Sequence, residues 1–246
     1  MTEYSLQEML KKGVHFGHQK KGWHPKMAQY IYTTRGGVHI LDLEKTAQKL
    51  TEAADFARSI VSRGGKILFV STKRQAQAIV RAAAADVHMP FATVSWIGGT
   101  LTNFDHIIMQ VHLLKDLRQK RAKGELTKYT KREQLQFDEQ IASLEKTVGG
   151  IETLESLPQA MFIVDLKKEK TALREAQKKK IPVIAMVDTN CNPEQVDYPI
   201  PCNDDATKSI EYIVGAIASA IAEASKQHAD ASSAVPKPAE HKGEGK

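Results

Sequence analysis

Residues 183–187 read Val-Ile-Ala-Met-Val, an unbroken apolar run that decides the fold together with two shorter ones, Ile67-Leu-Phe-Val70 and Met161-Phe-Ile-Val164. Such uninterrupted runs are typical of parallel strands that are covered by helices on both faces. Helical patterns at about 73–85, 168–179 and 206–226 lie between and after the three runs. The alternation of strand and helix therefore predicts an α/β domain built on an open parallel sheet.

The N-terminal part has a different pattern. Tyr30-Ile-Tyr32 and Val38-His-Ile-Leu41 flank a turn that contains two glycines, which predicts a β-hairpin. Asp42 is the predicted cap of a helix that runs to about residue 63. Residues 14–29 are basic and aromatic, and Pro25 excludes a regular helix there, so we expect this segment to be irregular.

Residues 104–148 interrupt the α/β pattern with two helical stretches separated by Gly124. Their apolar residues recur at spacings of three and four, which predicts an antiparallel helical hairpin, a short coiled-coil arm inserted into the α/β domain. The predicted division is an α/β domain at 1–103 and 149–226, the arm at 104–148, and a tail at 227–246. The tail is rich in Ala, Ser, Lys, Pro, Glu and Gly, and we expect it to be disordered.

The formal net charge of the chain is +6, but the basic residues are concentrated in two segments. Residues 11–35 hold six Lys or Arg, three His and no acid, and residues 115–132 hold eight Lys or Arg against two acids. This distribution permits a nucleic-acid partner. The two cysteines, Cys191 and Cys202, do not form a disulfide framework and fit a reducing cytoplasm. We expect no signal peptide and no membrane span, because no apolar run is long enough to cross a bilayer.

The first candidate RNA-binding surface is the basic segment 11–35. Its lysines can neutralise phosphates, and its Trp and His rings can stack on unpaired bases. An exposed Trp among lysines favours RNA contact over the alternative, a solvated loop that touches nothing. The predicted contacts in this segment are Lys11, Lys12, His18, Lys20, Lys21, Trp23, His24, Lys26 and Arg35.

The second candidate is Trp96-Ile-Gly-Gly-Thr-Leu-Thr-Asn103, at the start of the arm. Backbone N–H groups of a glycine loop that opens a helix can bind an RNA phosphate, with Trp96, Thr100 and Asn103 as contacts. The alternative, which the sequence alone slightly favours, is a plain turn into a helix.

A nucleotide-binding enzyme is the rival interpretation of an open parallel sheet. The turn after the first core strand, Ser71-Thr-Lys-Arg-Gln75, contains no glycine and therefore matches neither a dinucleotide fingerprint nor a phosphate loop. Lys73 and Arg74 in this turn suit an RNA backbone or solvent. No catalytic triad or spaced carboxylate pair emerges, so the sequence argues against an enzyme.

A set of His and Asp residues suggests a metal site. Asp188 directly follows a predicted strand, and Asp204 and Asp205 open the last helix, so these carboxylates lie where strand ends form sites. With His15 they make a set of ligands that suits zinc. The alternative is ordinary capping by Asp205 and an ordinary turn at Asp188.

The motifs, taken together, resemble the bacterial family of small-subunit ribosomal protein two over roughly residues 5–225. The resemblance is carried by Gly13-Val-His-Phe-Gly-His-Gln19, Trp23-His-Pro-Lys-Met27, Gly37-Val-His-Ile-Leu-Asp-Leu43, Gly98-Gly-Thr-Leu-Thr-Asn103, Phe162-Ile-Val-Asp165, Ile181-Pro-Val-Ile-Ala-Met-Val-Asp-Thr-Asn190 and Asp197-Tyr-Pro-Ile-Pro201. Three positions, His24, Gly36 and Cys202, depart from the usual residues of the family.

The resemblance implies a flavodoxin-like fold with a protruding coiled coil, at the junction of head and body of the small subunit. It implies binding of small-subunit rRNA, docking of ribosomal protein one and contact with neighbouring small-subunit proteins. It also implies a zinc ion at the docking site, which we would place at His15 and the aspartates, although no cofactor is required. We therefore expect a structural, non-enzymatic protein of cytoplasmic ribosomes. Two alternatives are a phosphate-binding enzyme and a protein-docking module without RNA contact.

Overall fold

The computed structural model describes residues 4–233. In its N-terminal part, a small antiparallel sheet packs with two helices. The elements are α1 (Leu6–Lys12), β1 (Phe16–Gln19), β2 (Ile31–Arg35), β3 (Val38–Leu41) and α2 (Leu43–Val61). β3 pairs with both β1 and β2, which confirms the predicted hairpin. Asp42 caps α2 as predicted, because its side chain accepts the backbone N–H groups of Glu44 and Lys45. The prediction that residues 14–29 are irregular is wrong at 16–19, which form β1.

The remaining elements alternate between strands and helices, as the apolar runs predict. They are β4 (Ile67–Val70), α3 (Arg74–Asp86), β5 (Phe91–Ala92), α4 (Phe104–Ala122), α5 (Lys131–Val148), β6 (Ala160–Val164), α6 (Lys170–Lys179), β7 (Val183–Val187), β8 (Tyr198–Pro201) and α7 (Thr207–Ser233). The five strands β4 to β8 form one parallel sheet in the order β5-β4-β6-β7-β8. Numbered within the sheet, this order is 2-1-3-4-5, the flavodoxin-like arrangement. The predicted fold class is therefore confirmed.

The core is divided by the sheet into two apolar layers. Successive residues of a strand face opposite sides, so Phe69 and Phe162 pack with Ile213 of α7 on one face. Leu68 and Ile163 pack with the arm helix α4 and with α6 on the other face. All residues of β4, β6 and β7 are buried, which explains why their sequences contain no polar residue.

The arm consists of the two predicted helices. They run antiparallel, because Arg118 of α4 binds Glu145 of α5 at 2.9 Å while Arg121, further along α4, approaches Asp138 at 3.3 Å. Ile107, the first buried residue of α4, belongs to the same apolar cluster as the sheet residues. The base of the arm is therefore part of the core, and the division into separate domains stays a prediction.

Two features lie outside the predicted pattern of the C-terminal part. Helix α7 continues to Ser233 instead of ending at 226. The remainder of the predicted tail, 234–246, lies outside the described residues. In the described part of the chain, no helix combines the length and the apolar character that a membrane crossing requires.

Candidate nucleic-acid interface and the carboxyl edge of the sheet

Lys73 lies at the centre of a cluster of carboxylates at the carboxyl edge of the sheet. Its ammonium group is 2.6 Å from Asp205, 2.8 Å from Asp204 and 3.1 Å from Asp165. Burial alone would lower the pKa of Lys73, but Asp204 and the other carboxylates outweigh it and raise the pKa. Because its charge is already neutralised inside the protein, Lys73 offers no unpaired cation to RNA, which argues against its predicted role.

His18 joins the same cluster from the N-terminal sheet. Its Nδ1 is 3.0 Å from a carboxylate oxygen of Asp188, and its Nε2 is 3.3 Å from Asp205. The hydrogen bond with Asp188 is the main cause that raises the pKa of His18. Its backbone N–H donates to Thr189 Oγ1 at 2.8 Å. His18 was predicted to touch RNA, but the structure directs its ring to the aspartates.

Gly17 is what allows the N-terminal sheet to approach the carboxyl edge so closely. A Cβ at this position would lie 2.5 Å from the Cγ2 of Thr189 and 3.2 Å from the backbone oxygen of His39. A side chain here would therefore separate β1 from the turn after β7. The glycine in the sequence His15-Phe-Gly-His18 is therefore needed for close packing of β1.

Asp204 is the carboxylate most affected by this crowding. Burial first, and then the charges of Asp188 and Asp165, raise its pKa to about 7, against the opposing effect of Lys73. Asp165, which contributes to the effect, directly follows β6 but was not selected from the sequence.

Among the described residues, His15 makes no hydrogen bond or ion pair with the aspartates. Its ring packs on Phe16 with a centroid distance of 4.1 Å, and it lines an apolar cavity of about 540 Å³ beside α1. Burial lowers the pKa of His15. Across residues 4–233, no group of three or more His, Cys, Asp or Glu side chains has an arrangement that could hold a metal ion. In this arrangement Lys73 supplies the positive charge beside Asp204 and Asp205, and a zinc ion at His15, Asp188, Asp204 and Asp205 stays a prediction.

The glycine loop 96–103 is occupied by an internal anion. Glu175 of α6 accepts hydrogen bonds from the backbone N–H groups of Gly99, Leu101 and Thr102 at 2.8–3.1 Å. The indole N–H of Trp96 donates to the same carboxylate at 3.1 Å. Despite burial, which acts in the opposite direction, these donors lower the pKa of Glu175. The loop binds an anion as its sequence suggests, but the anion is a carboxylate of the same chain.

Thr100 and Asn103, the other predicted contacts of this loop, differ in exposure. The Thr100 hydroxyl is buried and donates to the backbone oxygen of Ile97 at 2.6 Å. Asn103 is exposed at the start of α4 and makes no side-chain cap hydrogen bond. The structure therefore leaves Asn103 accessible and engages Thr100 internally.

The basic segment 11–35 stays open to solvent for most of its predicted contacts. Lys26 is the exception, because its ammonium pairs with Glu194. His24 is partly buried and accepts the backbone N–H of Lys26. Trp23 retains 36% exposure and lies 5.2 Å from the ring of His39. The exposed cations of the segment that have no carboxylate within 4.0 Å in the described part of the chain are Lys11, Lys12, Lys20, Lys21 and Arg35.

Comparison with known proteins gives the family. Residues 9–224 match the family described as "Ribosomal protein S2". "Small ribosomal subunit protein uS2" of Roseiflexus sp. (strain RS-1) is 50% identical over 219 residues, which cover 89% of this chain and 84% of that protein. The protein of the same name from Dehalococcoides mccartyi (strain CBDB1) is 45% identical over 224 residues, 91% of each chain. This chain belongs to the ribosomal protein S2 family.

Membership of the ribosomal protein S2 family confirms several predictions together. The chain is a ribosomal protein with a structural role, and it is not an enzyme. The predicted location on cytoplasmic ribosomes is confirmed on the same basis. The individual RNA contacts and the zinc site stay predictions.

Asp165, Glu169 and Glu175 are the site residues that sequence reasoning missed. Asp165 follows a core strand as Asp188 does, so the same rule would have found it. Glu169 accepts both the N–H and the hydroxyl of Thr72 at 2.6 Å, across 97 positions of sequence. Glu175 contacts a loop more than 70 positions away. Nothing local in the sequence signals these two pairings.

Proposed function

We propose that this chain is a structural component of the small ribosomal subunit. It binds small-subunit rRNA at the junction of head and body, helps dock ribosomal protein one, and supports translation. The identity of the relatives as small-subunit proteins supports the subunit assignment. The resemblance of the sequence motifs supports the location and the two partners.

The observation that carries RNA binding is the exposed, unpaired positive charge of segment 11–35. Lys20 and Lys21 form one turn of 3-10 helix at the surface, directly after β1. Trp23 follows them with part of its ring exposed. Lysines on phosphates would supply affinity without reading sequence, and the indole would stack on or wedge against an unpaired base.

Salt dependence tests this mechanism. Replacing Lys20 and Lys21 with Ala should reduce the slope of log affinity for small-subunit rRNA against log salt by about one to two units. Fewer counterions are released on binding when fewer lysines contact phosphate. The matched control is Lys178→Ala with Lys179→Ala, which removes the same charge from the exposed end of α6. Equal slopes for the two double variants would contradict RNA contact by this segment.

An exposed apolar surface supports the docking of a partner protein. Leu6 and Leu10 on one face of α1 are 40% and 55% exposed, and Tyr32 of β2 is 76% exposed. These three side chains line the cavity of about 540 Å³ that His15 also lines. Exposed apolar clusters of this kind mark protein contacts. We place the docking of ribosomal protein one on this surface, and we call it the α1 surface.

Leu10→Glu tests the α1 surface directly. We expect at least a tenfold loss of affinity for ribosomal protein one, because a carboxylate would have to be desolvated in the contact. Affinity for rRNA should stay within twofold. Leu135→Glu is the matched control, since Leu135 is 58% exposed on the arm helix α5. If both variants bind ribosomal protein one equally well, the α1 surface is not the docking site.

Zinc is not part of this proposal. Asp165, Asp204 and Asp205 already contact the ammonium of Lys73, and no step of the mechanism depends on a metal.

A further inference from the structure

A groove runs along β5, which is the edge strand of the large sheet. At the arm end, a cavity of about 380 Å³ lies between α3, β5 and the helices of the arm. At the carboxyl edge of the sheet, a second cavity of about 500 Å³ is lined by the start of α3 and by Trp96. Val94, half exposed, lines both cavities, so the two form one continuous surface. We call it the β5 groove.

Positive charge follows the whole length of the β5 groove. The cations that line it are Arg74, Arg81, Arg118, Lys146 and Lys168, and the acids are Glu145 and Glu169. Arg118 is bound by Glu145 at 2.9 Å and by Glu152 at 2.7 Å, so it adds no free positive charge to the groove. Glu169 is 3% exposed and its carboxylate is turned to Thr72. Burial raises the pKa of Glu169.

Four groove cations therefore remain without an acidic partner. Within the described residues, no carboxylate lies within 4.0 Å of Arg74, Arg81, Lys146 or Lys168, and all four side chains are exposed. Arg74 and Arg81 are seven positions apart on α3, which puts them on one face of the helix, separated by about 10 Å. Arg81 is held beside the edge strand, with its guanidinium 5.9 Å from the centre of the Phe91 ring.

We propose that the β5 groove binds the phosphate backbone of a single-stranded segment of small-subunit rRNA. This inference rests on the proposed rRNA binding, and it adds a second contact surface to segment 11–35. The spaced cations match a chain of phosphates. The groove also presents the hydroxyl groups of Ser95 and Thr171, which can bond to phosphate and to ribose 2′-OH groups.

One further feature favours RNA over an acidic protein as the occupant, and a second shows which groups of the groove are available to it. The partly exposed indole of Trp96 lines the groove, with its N–H held by Glu175, and an indole that is fixed in place can stack on an unpaired base. The backbone amides of the neighbouring glycine loop are already taken by Glu175, so side chains must provide the phosphate contacts. Arg74 and Lys168 line the groove beside the loop and can provide these contacts.

The first experiment measures binding of the full-length chain to a transcript of small-subunit rRNA across a range of salt concentrations. The variant carries Arg74→Gln, Arg81→Gln, Lys146→Gln and Lys168→Gln. If all four touch phosphate, the slope of log affinity against log salt should flatten by about three units, and affinity at moderate salt should fall at least tenfold. The control carries Arg63→Gln, Lys178→Gln, Lys179→Gln and Lys208→Gln, which remove the same charge outside the groove.

Equal slopes and affinities for these two variants would overturn the groove proposal while leaving rRNA binding intact. Absence of any salt-dependent binding by the unmodified chain would instead overturn the proposed rRNA binding itself. A large loss in both variants, without a difference between them, would show that only total charge matters, and it would also overturn the groove as a site.

Crosslinking identifies the occupant in assembled subunits. Val94→Cys introduces an exposed thiol, whereas both native cysteines are buried with raised pKa values, so a photoreactive maleimide should attach selectively at position 94. Irradiation should yield a crosslink to rRNA. A crosslink to protein alone, or no crosslink to rRNA, would overturn the proposal.

Discussion

Glu175 shows how one residue can reverse the interpretation of a motif. The loop 96–103 has the backbone geometry for an anion, and the sequence suggests an RNA phosphate as that anion. In the folded chain, the carboxylate of Glu175 accepts three backbone N–H groups and the indole N–H of Trp96. Glu175 therefore fixes the loop from which the arm helix α4 starts.

Replacing Glu175 with Gln should destabilise the protein by about 2–3 kcal/mol, because the neutral amide makes weaker hydrogen bonds and turns an N–H toward other donors. The pKa of Glu175 is lowered from its ordinary value of 4.5, so its contribution is fully present above that value and is lost as pH falls through the lower folded pKa. Urea unfolding at pH 7 and below pH 4 should therefore show a difference that shrinks in acid. The exposed Glu155→Gln is the control. A difference that is independent of pH would contradict the charged role of Glu175.

The pairing of residues at the carboxyl edge could be predicted only in part. The rule that sites form at strand ends drew attention to Asp188, and Asp204 at the start of the last helix lies beside it, because its backbone N–H approaches the Asp188 carboxylate at 3.4 Å. His15 was chosen as their partner, but the histidine that contacts Asp188 and Asp205 in the structure is His18 of β1. Lys73 was assigned to RNA, since its contact with Asp204 spans 131 positions of sequence.

At the scale of elements, strands with two buried faces could be recognised from their unbroken apolar runs. β5 and β8 could not be recognised in this way. β5 has two residues, and β8 contains Pro199 and Pro201, which are tolerated because β8 lies at the edge of the sheet. β1 was hidden in a basic segment because its residues are at most partly buried. These edge strands depend on neighbours that a local pattern does not contain.

The arm helix α5 begins with a complete capping box, whose contribution to the stability of the helix can be tested. Thr130 accepts the backbone N–H of Glu133, and the Glu133 side chain accepts the backbone N–H of Thr130 at 2.9 Å. Thr130→Ala should cost about 1 kcal/mol and fray the first turn of α5. Hydrogen exchange should then be faster at Glu133 and Gln134, whereas Thr130→Ser should exchange like the unmodified chain. Unchanged protection in the Ala variant would show that packing of the arm, and not the cap, holds this turn.

At the scale of the whole molecule, charge is sorted by location. Most of the acidic side chains at the carboxyl edge are turned toward Lys73 and His18 inside the fold. Cations without a carboxylate partner line segment 11–35 and the β5 groove, and others lie elsewhere on the surface, whereas the α1 surface is apolar. A net charge of +6 therefore underestimates the positive charge that the exposed surfaces can present to a polyanion.

The C-terminal helix α7 contributes to the core with only part of its length. Helix α7 packs against α1, α2 and α3, and among its residues up to 227, whose burial the structure describes, the last one in the core is Ala224. Deleting 229–246 should leave the free energy of unfolding and rRNA affinity unchanged, because the deletion begins after Ala224 and the removed segment is too poor in apolar residues to form a packed core. Deleting 219–246 removes buried Ile221 as well as Ala224, and should cost at least about 3 kcal/mol. Urea midpoints of both truncations and their incorporation into small subunits are the measurements. If the shorter deletion abolishes incorporation while its urea midpoint is unchanged, the tail contacts a ribosomal partner and the predicted disorder does not hold in the subunit.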